Sequence, residues 1–112
     1  LSIDEQVWML NKSVVDFELI DGLFSQMLAS YLAGDLGALL QMQRQYDDPE
    51  TDIDNRLMYA LLDQRNQRMV ERMQPYLQQG NAFVAIGALH LPGEKGVLHL
   101  LEQAGYRVTP VY

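Results

Sequence analysis

The first 79 residues follow a helical pattern of apolar positions. Spacings of three and four place apolar side chains on one helix face, here at Val7, Leu10, Val14, Phe17 or Ile20, Leu23, Met27 and Tyr31. Gly34 can adopt the left-handed conformation that ends a helix. Asp35 can cap a short second helix, and an acidic turn at residues 47–52 separates this helix from the next. The pattern predicts one long helix and one short helix before residue 47.

A third and longest helix is predicted from about residue 53 to residue 73. Its apolar stripe includes Met58, Leu62, Met69 and Met73. Asn66 interrupts this stripe and Arg65 lies beside it, so polar groups break an inward face. Pro75 removes a backbone donor and is expected to kink or end the helix, with residues 78–81 forming the exit.

The periodicity changes after Gly80. Residues 82–86 form a continuous apolar run between turn residues, a pattern typical of a strand buried on both faces. Residues 94–103 are predicted to be a helix and residues 106–112 a second strand. The expected fold class is α+β (α/β-like), with a helical N-terminal half packed on a C-terminal β-α-β unit. The chain as a whole, residues 1–112, is expected to form a single partial domain, with its break between residues 79 and 80.

Charge and composition narrow the choice of partners. The formal net charge is −7, and residues 1–54 contain 11 acidic side chains against Lys12 and Arg44. The sequence has no basic stripe, so nucleic acid is an unsuitable partner. It has no cysteine, which excludes disulfides, thiolate metal sites and cysteine nucleophiles. No apolar run reaches the length of a membrane span, so no transmembrane segment is expected in this chain.

The candidate chemistry lies between Gly87 and Gly93. In a parallel α/β arrangement, ligands bind beyond the carboxyl ends of the strands, and this loop would hold that position. It carries a G-x-x-H box, Gly87 to His90, so a constrained loop can present the imidazole to a metal or a substrate. Alternatively the glycines only form the turn and His90 bonds a nearby carbonyl. The other histidine, His99, is expected to be a solvated surface residue.

Several features in order resemble the C-terminal block of the TraB/PrgY/GumN family, whose animal relatives include the Tiki peptidases. Over residues 63–112 these features are the pair Arg65 and Asn66 on a helix, an apolar run, the Gly87-x-x-His90 box, a Leu-Pro-Gly, a helix, and a Gly-Tyr before the final apolar segment. Looser matches upstream are LSIDEQ and LAGDLGALL. The family also has an earlier G-x-x-H box followed by a glutamate, and neither occurs here.

The resemblance implies a metal-dependent hydrolase, acting on peptide bonds, of which this chain is a C-terminal fragment. It implies that His90 is a metal ligand, that Arg65 and Asn66 act beside it in catalysis, and that Gly87 and Gly93 shape the binding loop. The metal would be Mn, Co or Zn. Because a catalytic metal needs about three protein ligands, the fragment alone is expected to be inactive and to bind no metal tightly. Arg65 and Asn66 can also be a purely structural hydrogen-bonded pair.

Two other functions stay open from the sequence. One is a non-catalytic module that binds a peptide or another partner through its acidic helical half. The other is an esterase-like or haem-binding role, because related folds serve different chemistries. The resemblance also implies an extracytoplasmic or envelope-associated location. In the full-length protein the β-α-β unit would extend a larger sheet, whose exposed edge in this chain could support a homo-oligomer.

Overall fold

The structure is a computed structural model that describes residues 1–45 and 52–111. Every regular element in these two ranges is a helix. The chain divides into two compact units, Leu1–Asp54 and Asn55–Tyr112, so the division falls upstream of the break expected at Gly80. The acidic turn predicted at residues 47–52 lies outside the described residues except for Asp52.

The first unit begins with two consecutive helices, α1 (Ile3–Val15) and α2 (Phe17–Leu32). The single long helix predicted here is wrong, because Asp16 separates the two. At the start of α1 the Ser2 hydroxyl accepts from the Glu5 amide, and the Glu5 carboxylate accepts from the Ser2 amide. This capping box satisfies backbone donors that would otherwise have no partner.

The end of α2 and the start of the next helix follow the sequence prediction. Gly34 has a φ of 68°. The Asp35 amide donates to the Ser30 carbonyl, and the Gly34 amide donates to the Tyr31 carbonyl. These two bonds form a Schellman motif, which requires the left-handed residue. The Asp35 carboxylate then accepts from the Ala38 amide at 2.9 Å and caps α3 (Leu36–Gln45).

Apolar burial in the first unit is limited. Leu39, on α3, is the one apolar side chain in its described part that is buried. Apolar residues on α1 and α2 are largely exposed, among them Val7, Val14, Phe17, Phe24, Tyr31 and Leu32. Lys12 lies over the Trp8 ring, 5.0 Å from its centroid, and its ammonium is 3.9 Å from the Asp54 carboxylate.

The third predicted helix is present but is not uniform. It comprises α4 (Ile53–Met58), a π-helical segment (Tyr59–Asp63) and α5 (Gln64–Gln79). A π turn contains an extra residue, so it changes the face on which the following side chains lie. Of the two effects predicted for Pro75, a kink or an end, the end does not occur, because α5 continues to Gln79. The helix ends at Gly80, whose φ is 82°, within the exit predicted at residues 78–81.

The packed core lies in the second unit, between α5 and the short helix α6 (Val97–Gln103). Val70 and Met73 of α5 pack with Val97 of α6, which is 2% exposed. Partly buried side chains surround these three: Met69, Leu77, Ile86, Leu100 and Leu101. Full burial of an aliphatic side chain such as that of Val97 stabilises the fold by roughly 1.5–3 kcal/mol, and the partly buried side chains contribute less. The segment before α6 is therefore held to the helices through Ile86.

The predicted α+β fold with a β-α-β unit is wrong. No strand occurs in the described ranges, and residues 81–87 and 106–111 have no regular secondary structure. Extended segments form strands only when their amide and carbonyl groups bond to a neighbouring strand. Residues 82–85 are also exposed, Phe83 to 93%, so the apolar run is not buried on both faces.

The helices described above also bear on two expectations about partners. The homo-oligomer was expected through an exposed sheet edge, and the described part of the chain has no sheet to supply one. Within that same part, none of the helices has the length and apolar character needed to cross a bilayer, which agrees with the expected absence of a transmembrane segment.

We expect the substitution Val97→Ala to lower the free energy of unfolding by roughly 1–3 kcal/mol, because it removes two buried methyl groups and leaves a cavity between α5 and α6. Chemical denaturation of the chain measures this change. Val111→Ala is the matched control, since Val111 is 93% exposed and should change stability by less than about 0.5 kcal/mol. Equal effects of the two substitutions would contradict the assigned core.

Candidate functional site

His90 lies at the end of a short 3₁₀ turn, Ala88–His90, that follows Gly87. The turn is closed by the His90 amide, which donates to the Gly87 carbonyl at 3.0 Å. The side chain is half-buried. The predicted position at the carboxyl end of a strand is wrong, since residues 81–87 form no strand, but the G-x-x-H box does hold the imidazole on a constrained turn.

Asn66 is the buried polar side chain that meets His90. It lies in the first turn of α5, is 2% exposed, and continues the face of α5 that carries Val70 and Met73. Its Oδ1 is 2.6 Å from His90 Nδ1, and its Nδ2 donates to the Lys95 carbonyl at 2.8 Å. Both ends of the amide are therefore bonded, which offsets the cost of burying it.

These two bonds determine where the imidazole carries its proton. The Lys95 carbonyl can only accept, so the NH₂ group of Asn66 must face it and Oδ1 must face His90. Because Oδ1 also only accepts, His90 Nδ1 is the donor. In the neutral ring Nε2 is then unprotonated and keeps its lone pair, the state needed to bind a metal ion or to accept a proton.

The surroundings of His90 favour this neutral ring. Burial lowers the pKa of His90 below its usual 6.5, and the positive charge of Arg65 lowers it further. Removing the ring partly from water disfavours the imidazolium, and a nearby cation does the same. At neutral pH the imidazole is therefore mainly uncharged, with Nδ1 as its donor.

Arg65 acts on His90 through its charge. Its side chain is exposed, and its Nη1 donates to the Leu61 carbonyl at 3.5 Å. The structure thus brings Asn66 and His90 into contact and leaves Arg65 beside them on the surface. The catalytic roles expected for Arg65, Asn66 and His90 stay predictions.

Glycines shape the loop between His90 and α6. Gly93 has a φ of 86°, a conformation that other residues rarely adopt. A side chain at the buried Gly96 would overlap the carbonyl oxygens of Leu91 and Pro92. At Gly87 a Cβ would make only an ordinary contact with His90 at 3.6 Å, so space alone does not require glycine there. The binding role expected for Gly87 and Gly93 is untested.

Sequence reasoning missed several contacts that hold this site. The Lys95 ammonium bonds the Asp63 carboxylate at 2.9 Å, and the Tyr106 hydroxyl donates to Gln74 Oε1 at 2.9 Å. Each pair is 32 residues apart, and no periodicity predicts such contacts. The π-helical segment was also missed. The sequence did contain a signal for Gly96, because it is the third glycine, after Gly87 and Gly93, within residues 87–96.

The described residues fit one metal ligand and not a complete metal site. Within residues 1–45 and 52–111, no group of three or more His, Cys, Asp or Glu side chains is close enough together to hold an ion. His99, on α6, has a side chain that is 43% exposed and lies near Glu102 and Gln103, as expected of a surface histidine. At the candidate site the imidazole of His90 has the chemistry of a metal ligand through Nε2.

Comparison with known proteins now assigns the family. The sequence matches the TraB/PrgY/gumN family over residues 1–110. The chain belongs to that family. The resemblance based on Arg65, Asn66 and the G-x-x-H box is confirmed, and the match extends through the first unit as well.

One curated relative is similar to this chain. It is "Metalloprotease TIKI2" of Danio rerio, 28% identical over 132 residues, which include 96% of this chain and 26% of the relative. The chain thus spans about a quarter of that relative's length. No solved structure matches the chain.

The lowered pKa of His90 predicts how this site responds to pH. A depressed pKa in the folded state means that the unfolded chain binds the proton more readily, so stability is lost as pH falls from 6.5 through the pKa of folded His90. NMR titration in a His99→Gln background should show His90 titrating below 6.5. Arg65→Gln should raise this pKa, and an unchanged value would contradict the assigned influence of Arg65.

Replacing Asn66 should loosen the loop that carries His90. Asn66→Ala leaves the Lys95 carbonyl and the His90 Nδ1–H without their partner, at a cost of about 1–3 kcal/mol. Amide hydrogen exchange in residues 87–96 should become about 5- to 100-fold faster while the rest of α5 changes less. Gln67→Ala, at the exposed neighbouring position, should leave exchange unchanged. Uniform acceleration throughout α5 would instead mean that Asn66 supports the helix.

Proposed function

We propose that this chain contributes part of the active site of a metal-dependent hydrolase that cleaves peptide bonds. The observation that carries the proposal is the hydrogen bond between Asn66 of α5 and His90, the histidine of the G-x-x-H box. The chain that contains it is a member of the TraB/PrgY/gumN family. The similarity to a protein named as a metalloprotease supports the same class of reaction. The chain covers only a quarter of that relative, so the activity is proposed for the full-length protein.

In this proposal His90 supplies Nε2, either as a ligand or as a group that accepts a proton. Asn66 orients the ring and keeps its proton on Nδ1. Such an outer partner is a common feature of metal-binding histidines, since it fixes the ring and its tautomer. Arg65 adds a positive charge near the reacting groups, which can stabilise negative charge that develops on the substrate.

A divalent ion, when bound, would activate a water molecule or polarise the scissile carbonyl. Because His90 is the one histidine at the candidate site among the described residues, the remaining ligands are proposed to come from outside them. An extracytoplasmic location is proposed from the family alone. Peptide is the proposed substrate because of the name of the relative, and no residue described here selects a particular peptide.

In the full-length protein we expect His90→Ala to lower metal-dependent peptide hydrolysis by about 100-fold or more, since changes to outer partners of ligands already cost about 10- to 100-fold. The loss of activity caused by Asn66→Ala should lie in that smaller range, about 10- to 100-fold. His99→Ala is the matched control and should stay near the unaltered rate. A chelator should abolish the activity, and Mn²⁺, Co²⁺ or Zn²⁺ should restore it.

Two outcomes would contradict this function. Full activity of the His90→Ala protein would remove His90 from the site, and hydrolysis that is insensitive to chelators would remove the metal from the proposal. Partner binding without any hydrolysis would favour the non-catalytic alternative. Calorimetry on the 112-residue chain gives an independent check. A tight, stoichiometric site lost on His90→Ala would show that this chain assembles more ligands than the one identified.

A further inference from the structure

Lys95 is attached at two points to the same stretch of helix. Its carbonyl accepts from Asn66 Nδ2 at 2.8 Å, and its ammonium bonds Asp63 Oδ2 at 2.9 Å. Asp63 is the last residue of the π-helical segment, and Asn66 follows three positions later in α5. One loop residue is thus bound through both its backbone and its side chain, close to the Asn66–His90 hydrogen bond.

The position of the Lys95 carbonyl determines which way the Asn66 amide faces. A half-turn of this amide would exchange Nδ2 and Oδ1, so that NH₂ would face His90. A ring facing NH₂ accepts at Nδ1 and carries its proton on Nε2. The lone pair would then lie on the wrong nitrogen for a ligand at Nε2. Only the carbonyl of Lys95, held near Asn66, selects the observed orientation.

The loop's own geometry does not provide this attachment. Gly93, with its positive φ, and the Gly96 amide bond to the Gly93 carbonyl at 3.0 Å fix the shape of the loop internally. Neither feature links the loop to α5 or to the π-helical segment. The ion pair of Lys95 with Asp63 does so through side chains, and the Asp63 side chain is only 20% exposed.

We propose that Asp63 and Lys95 are positioning residues for His90. Their ion pair holds the Lys95 carbonyl against the Asn66 amide, and this contact keeps the His90 proton on Nδ1 and the lone pair on Nε2. The inference deepens the proposed function, because it matters to catalysis only if Nε2 of His90 is the reactive atom. The pair acts through Asn66 and touches no reacting group itself.

The competing interpretation is an ordinary surface ion pair. The Lys95 side chain is 71% exposed, and exposed pairs contribute little to global stability. The two interpretations differ in what they affect. A pair that only adds stability changes the unfolding transition and leaves the tautomer of His90 as it was, whereas a positioning pair changes the tautomer in a protein that stays folded.

The test is the ratio of Nε2–H to Nδ1–H rings at His90, measured by long-range ¹H–¹⁵N NMR on the 112-residue chain at about pH 8.5, where histidine is neutral. Lys95→Met and Asp63→Ala should each raise this ratio by about 1.5- to 5-fold, the effect of an exposed ion pair on an equilibrium. Lys95→Arg should restore the original ratio. Glu94→Gln, the exposed neighbour in the loop, should leave it unchanged.

Added salt tests the Lys95–Asp63 ion pair without any substitution, because screening weakens an exposed ion pair. Raising the ionic strength of the unaltered chain should shift the ratio in the same direction as Lys95→Met. The proposal is overturned if the ratio stays constant in folded Lys95→Met and Asp63→Ala chains, if Lys95→Arg behaves like Lys95→Met, or if the unaltered chain already has its proton on Nε2. None of these outcomes depends on enzymatic activity. A failure of the proposed function would show itself differently, as full activity of the full-length His90→Ala protein.

Discussion

The site depends on one buried amide. Asn66 is the buried polar side chain on an otherwise apolar face of α5, and an amide in that position is costly unless both its ends are bonded. The bonds that it makes, to the Lys95 carbonyl and to His90 Nδ1, link the helix to the loop on either side of residues 91–94. The fold thus satisfies Asn66 only when the loop is in the position that orients His90.

The parts of the structure that were predicted correctly depend on local chemistry. Gly34 adopts the positive φ predicted for it, and Asp35 caps its helix through its own carboxylate. The interruption of the apolar stripe at Asn66 was also visible, because burial of a polar residue at helical spacing requires a partner. What local chemistry could not supply was the identity of that partner, since His90 is 24 residues away.

The predicted sheet failed for a related reason. Residues 82–86 have the composition of a strand, but a strand is a property of two segments, and composition describes only one. In the described chain this run makes a core contact through Ile86 while Phe83 stays in solvent. The break between α1 and α2 at Asp16 was missed because Val14 and Phe17 keep helical spacing across it.

The arrangement around His90 has a consequence for how a metal site can be completed. Binding of a cation to an imidazole usually releases a proton or requires a change of tautomer. Here the lowered pKa and the Asn66 bond make the neutral Nδ1–H ring the ground state, so neither step costs free energy at neutral pH. The charge of Arg65 that helps to lower this pKa also repels a cation. In the proposed site, carboxylate ligands would offset that repulsion of a metal at Nε2.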